Sequence, residues 1–200
     1  PDSTNTLILF FSDNGGIPRV GSSNGPWRGA KLSVYEGGTR VCAAIRWPAA
    51  GLSGGGRFDA RIGYIDVLPT VLAAAGVTAP ENLDGLNVLP ALLGKSKVPM
   101  RPWFSYIDQS DQAHGSVHEG QWKLVAHGDF FAEKPDAELE LYDLEADPAE
   151  KTNLAAQHPD RAARLYNQLC GFGKLQKSGV GKYDEGRAGF LPPKDWIIRQ

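Results

Sequence analysis

Cysteine, histidine, methionine and one-sided charge are all scarce in this 200-residue chain, and each scarcity closes off a class of function. Cys42 and Cys170 have no metal-like spacing, and neither sits in the electropositive setting that makes a thiol reactive. Cys42 lies in an apolar run and Cys170 in a helical one, so both are expected to be buried structural thiols, with a disulfide as the other reading. His114 and His118 stand four apart in a stretch that reads as strand and turn, while His127 and His158 stand alone. Surface or packing roles are expected for all four rather than metal ligation. No Ser-His-Asp set can be assembled. With 21 basic residues against 23 acidic ones, no basic surface for nucleic acid is expected. No apolar run approaches the ~20 residues of a membrane-spanning helix. The N-terminus, "PDSTNTLILFFSD", lacks the basic start and cleavage site of a signal peptide, and the only methionine is Met100. The chain is therefore expected to be a piece of something longer or processed.

What the chain holds in quantity is glycine, unevenly placed. An apolar run, Thr6 to Ser12, reads as a buried, parallel-type strand. It leads into Asp13-Asn14-Gly15-Gly16 and a glycine-rich passage reaching Thr39, a loop of a length that usually carries function. "TRVCAAIRWP" reads as a second buried strand, ended by Pro48. "YIDVLPTVLAAAG" reads as a helix, with Asp66 as its cap, Pro69 in the first turn and Gly76 as its stop. Ile65, Leu68, Leu72 and Ala75 would form its apolar stripe. "NVLPALLGK" repeats the design with Asn87 as cap and Gly94 as stop. Its closing Gly-Lys-Ser is no P-loop, because Leu89 stands where that pattern needs glycine.

From Val98 the pattern changes. "PWFSYI", "HGSVHEG", "QWKLVAHGD" and "LELYDL" are short strand-like runs with the spacing of an antiparallel meander. "HPDRAARLYNQLC" reads as an amphipathic helix packed through Ala163, Leu165, Tyr166 and Leu169. From Gly173 an extended tail is expected, pinned by Trp196 and Ile197. The fold class is α/β. Residues 1–95 form part of a large α/β domain, 96–172 a small antiparallel β-sheet subdomain with one packing helix, and 173–200 the tail.

Two features carry candidate chemistry. Asp13 and Asn14 place a carboxylate beside an amide carbonyl at the C-terminal end of a strand, where open α/β sheets bind ligands. Hard oxygen donors of this kind suit Ca²⁺ or Mg²⁺, although calcium takes six to eight oxygens and two residues supply few of them. The same Asp-Asn-Gly-Gly is also good turn chemistry, and that reading stands beside the first. Lys31, in "WRGAKLSVYEGG", offers an ammonium with three donors to a tetrahedral oxyanion, or else is a solvated surface lysine. Arg28, Glu36 and Arg40 are expected to form a buried ion-pair frame that fixes the loop rather than to take part in chemistry.

The segments "LILFFSDNGG", "WRGAKLSVYEGGTRV", "IRWPA", "YIDVLPTVLAAAGV", "LDGLNVLPALLG", "SVHEGQWKLV" and "ELYDLEADPAEKTNL" resemble, in order, segments of one family. They are similar to the C-terminal portion of a type I, formylglycine-dependent sulfatase, of the arylsulfatase group within the alkaline-phosphatase-like superfamily. The resemblance covers about residues 6 to 170. It implies that Asp13 and Asn14 are metal ligands, to calcium or alternatively magnesium, and that Lys31 contacts sulfate oxygens of an aryl or carbohydrate sulfate ester. It also implies an exported protein: periplasmic, secreted or lysosomal.

The family's nucleophile is a cysteine in a Cys-x-Pro-Ser-Arg setting, converted to formylglycine. No such motif stands here, since Cys42 is followed by Ala-Ala-Ile and Cys170 by Gly-Phe-Gly. The chain alone is therefore expected to be inactive and to need a missing N-terminal half, or to self-associate through an uncovered sheet face. Three other readings remain: a phosphatase or phosphonate hydrolase of the same superfamily, a truncated non-catalytic binding or structural protein, and a carbohydrate-binding β module. The buried strand and the Asp-Asn-Gly-Gly turn speak against the last.

Overall fold

A computed structural model describes residues 2–109, 112–128 and 137–175. The centre of the structure is a four-stranded antiparallel meander: β3 (Trp103–Gln109), β4 (Gln112–Glu119), β5 (Trp122–His127) and β6 (Glu138–Asp143), paired in that order. Its two faces are covered by different material. On one, Val117, Leu124, Ala126 and Leu141 pack on Ala162, Leu165 and Leu169 of α4 (Pro159–Gly173). The expected packing residue Ala163 is exposed and Ala162 takes its place, because the buried stripe runs through positions three and four apart from Leu165 and Leu169. On the other face, Val125 and Tyr142 pack on Val34, which lies in the long glycine-rich loop. The register sets this division: Lys123 faces Tyr142 and Val125 faces Glu140, so one parity of each strand points to the loop. β5 is consequently buried on both sides from Lys123 to Ala126.

The N-terminal strands differ from expectation. β1 (Ile8–Phe11) and β2 (Ala43–Arg46) pair with each other, antiparallel, as an isolated two-stranded ribbon. Neither is buried; Phe10 is 65% and Ile8 48% exposed. A run that is apolar on both parities signals two covered faces, and two strands cannot provide them by themselves. Cys42 is exposed beside this ribbon and Cys170 is half-buried, both as free thiols, so the expectation of two buried thiols fails at Cys42 and is only partly met at Cys170, and the two form no disulfide.

The connection from β1 to β2 contains α1 (Glu36–Thr39), and α2 (Val67–Ala74) and α3 (Leu89–Leu92) follow the ribbon before the meander begins. Asp66 does not cap α2. Its Oδ2 accepts the Gly63 N–H at 3.0 Å, and its Oδ1 accepts the Leu86 N–H at 2.8 Å while pairing with Arg101. The carboxylate thus ties three chain segments together. The expected apolar stripe is also turned: Ile65 and Leu68 are half exposed, whereas Pro69 and Thr70 are buried. The N-cap of α3 is Val88 rather than Asn87, which stands one residue earlier and accepts the Leu89 N–H at 3.0 Å; Gly94 ends the helix at φ 71°. The tail expected from Gly173 lies outside the described residues beyond residue 175. Among the described residues, no helix is long and apolar enough to cross a membrane.

Candidate functional site

The end of β1 and the loop after it are welded together by backbone contacts that only glycine allows. The Gly15 N–H donates to Gly38 O at 2.9 Å, and the Lys31 N–H donates to Gly16 O at 3.2 Å. Asn24 clasps the junction, its Oδ1 accepting the Gly16 N–H at 2.7 Å and its Nδ2 donating to Gly16 O and Gly29 O. A Cβ on Gly15 would lie 1.8 Å from Gly37 O, and one on Gly37 would lie 2.3 Å from Gly29 O. Gly15→Ala is therefore expected to push the Asp13–Asn14 turn off the lysine-bearing loop and destabilise the fold by about 1–3 kcal/mol or more. An unchanged urea midpoint would contradict that.

This junction holds the Lys31 backbone against Gly16, two residues after Asn14. Asp13 and Lys31 are exposed, and among the described residues neither side chain has a hydrogen bond or ion pair. The Tyr64 hydroxyl lies 2.5 Å from Ser12 O and 2.6 Å from Asp13 O, holding the turn from below. Burial, and then the Asp13 charge, raise the Tyr64 phenol above its ordinary range. Asn14 spends Nδ2 on Gly15 O at 3.1 Å, which leaves Oδ1 as an unused acceptor. A free carboxylate and a free amide oxygen on adjacent residues fit a hard cation, but as part of a shell rather than a whole one. No group of three His, Cys, Asp or Glu side chains among the described residues completes it.

Behind the loop lies a buried ionic cluster. Lys123 of β5, 2% exposed, reaches Glu36 Oε1 at 2.9 Å and Glu150 Oε1 at 2.9 Å. Glu36 also faces Arg40 at 3.7 Å and Arg61 at 4.0 Å. Burial opposes ionisation of Glu36, but Lys123 and Arg61 more than offset it, so its carboxyl lies below the ordinary range. Burial dominates at Glu150 and holds its carboxyl above that range, despite Lys123 and the Glu36 N–H. Arg28 lies over the Tyr35 ring at 3.9 Å and donates to the Tyr142 hydroxyl at 2.6 Å. Tyr35 donates to Glu140 Oε2 at 2.6 Å.

The expected frame forms only in part: Glu36 pairs with Arg40, which is exposed, while Arg28 pairs with Glu140 and reaches the Glu36 group only through Glu150 O. Lys123, Glu150, Arg61 and Glu140, which sequence reasoning passed over, supply the rest. Lys123 alone left a signal, as a charge inside a strand otherwise apolar on both parities.

His114, His118 and His127 lie on the loop-facing side of the meander, and His158 stands at the start of α4 on the other. His114 and His127 meet Nδ1 to Nδ1 at 2.8 Å, and His158 packs edge-on against Trp122. His118 is 5% exposed, with Nε2 2.8 Å from Gly120 O. Burial, then the Arg61 charge, push its imidazole down to about 4. A histidine depressed in the folded state from 6.5 stabilises above the unfolded value and loses that contribution as pH falls. The drop from 6.5 to about 4 corresponds to about 3 kcal/mol. His118→Leu should flatten the stability profile across that window; an unaltered profile would refute the assignment.

The family of N-sulphoglucosamine sulphohydrolase C-terminal regions matches residues 28–172. The N-acetylgalactosamine-6-O-sulfatase of Bacteroides thetaiotaomicron is 32% identical over 188 residues, covering 82% of this chain and 36% of that protein. Human arylsulfatase A is 34% identical over 172 residues, covering 74% of this chain and 33% of its own length. A protein solved in complex with its substrate D-glucosamine-2-N,6-O-disulfate superposes with a TM-score of 0.67 at 26% identity, over 86% of this chain and 34% of its own. The chain therefore spans about a third of the length of these relatives.

Proposed function

The chain belongs to the sulfatase family, whose C-terminal portion it forms, and on that premise we propose that it supplies half of the reaction centre of a sulfate ester hydrolase. Asp13 and Asn14 ligate a divalent cation, calcium or alternatively magnesium, and Lys31 binds the sulfate group. The observation that carries this reading is the junction Lys31 N–H to Gly16 O, which seats the lysine segment on the turn bearing two unused hard oxygen donors. When bound, the cation supplies Lewis-acid stabilisation of charge on the transferred group. Lys31 acts as a compact point charge whose three donors meet sulfate oxygens as negative charge builds on them. The buried cluster behind the loop holds that charge in place before substrate arrives.

The nucleophile comes from the rest of a longer protein, because this sequence has no Cys-x-Pro-Ser-Arg. The same remainder covers the uncovered ribbon: Ile8, Phe10 and Phe11 form an exposed apolar strand of a kind that soluble domains bury. The substrate class is a carbohydrate or aryl sulfate ester, the chemistry named for the relatives. The test is turnover by the full-length protein of an aryl sulfate against the matching aryl phosphate. Hydrolysis of the sulfate supports the proposal. Hydrolysis of the phosphate with none of the sulfate would assign the protein to the phosphatases of the superfamily instead.

A further inference from the structure

Lys31 sits in a loop whose two ends are tied to one residue. The Arg28 Nη1 donates to Glu150 O at 3.1 Å, and the Glu36 N–H donates to Glu150 Oε2 at 2.8 Å. The loop is closed across its base by the Gly37 N–H, which donates to Arg28 O at 2.6 Å. Glu150 therefore grips positions 28 and 36 at once, one with its backbone carbonyl and one with its carboxylate. Its second carboxylate oxygen is held by Lys123 at 2.9 Å.

The backbone of Glu150 is itself unusual. It is fully buried and has φ 53°, a left-handed conformation that a residue with a long side chain adopts only when its surroundings force it. The forcing contacts are present. Its N–H donates to Asp147 O at 3.1 Å, and Asp147 Oδ2 accepts the Lys151 and Thr152 N–H groups at 2.7 and 2.8 Å. Asn153 then fastens the segment to β6, its Oδ1 accepting the Leu141 N–H at 3.0 Å. A glycine would relieve the left-handed turn but would delete the carboxylate. An aspartate would keep the charge one methylene short of the Glu36 N–H.

We propose that Glu150 is the positioning residue of the Lys31 loop, a strained, buried clamp by which the meander sets where the lysine stands. The inference rests on the reading of Lys31 as the sulfate ligand only for its effect on turnover; the clamp itself is a statement about the loop.

The experiment uses the full-length protein with Glu150→Gln, Lys31→Ala and the double variant. Hydrogen exchange at the Glu36 and Gly37 amides should rise about tenfold or more in Glu150→Gln. The kcat/KM for an aryl sulfate should fall about 10–100-fold in Glu150→Gln, yet by less than about twofold when the substitution is added to Lys31→Ala. Unchanged exchange overturns the clamp. So does an equal fall in both backgrounds, because a residue acting through Lys31 has nothing left to position once the lysine is gone. If Lys31→Ala retains full turnover, the sulfate reading of Lys31 fails, and exchange alone decides the clamp. Should Glu150→Gln not accumulate as folded protein, Glu150→Asp carries the same measurements, with exchange again expected to rise.

Discussion

Lys123→Ala is expected to destabilise the protein by about 3–5 kcal/mol, because it strands two buried carboxylates that share one cation. Glu36 is 3% exposed and Glu150 fully buried, so water cannot take over the role of the ammonium. The two carboxylates would be left facing each other across the emptied position, each raising the other's cost of ionisation. Arg61, 4.0 Å from Glu36 and itself 39% exposed, offers only partial relief. The loss should be larger than in the triple variant Lys123→Met, Glu36→Gln, Glu150→Gln, where the cluster holds no buried charge. Urea unfolding of both variants checks the ordering. A single variant as stable as the parent, or a triple variant worse than the single, would show that the cluster is not ionised as drawn.

The meander and α4 were legible in the sequence because their determinants are local. Short strand-like runs such as "LELYDL", parted by turn signals, and the helical stripe of Leu165 and Leu169 are each set within a few residues, and the elements that pair or pack with them lie within the chain. The ribbon of β1 and β2 was misread for the opposite reason. Its apolar runs indicate a strand covered on both faces, and the described residues hold nothing to cover it. Asp66 looked like a cap because an acidic residue at a helix start usually is one. Its partners Leu86 and Arg101 lie 20 and 35 residues away, a relation no local pattern reveals.

The same limit governed the site. Asp13, Asn14 and Lys31 stood in the sequence as candidates beside a turn and a solvated lysine, and only the resemblance implied site roles for them; of the expected frame, the Glu36–Arg40 pair follows from opposite charges close in sequence. The residues that hold that frame are remote: Lys123 meets Glu36 across 87 positions, and Glu150 meets it across 114. Glu150 in particular looks like any surface glutamate after Asp-Pro-Ala. Only the fold shows it buried and left-handed.

Asp13→Ala in the full-length protein should remove metal and catalysis together. The carboxylate carries the only formal charge of the Asp13–Asn14 pair, and its loss leaves one amide oxygen to hold a cation that prefers several hard donors. The fold should survive, since the Asp13 side chain is exposed and makes no hydrogen bond or ion pair among the described residues. The decisive measurement is a calorimetric calcium titration of full-length parent and Asp13→Ala, with aryl sulfate turnover followed across the same concentrations. The account predicts a binding isotherm in the parent that weakens at least about 100-fold in the variant, with turnover falling in step and no longer responding to the ion. An Asp13→Ala variant that binds calcium like the parent and still hydrolyses the sulfate would contradict it.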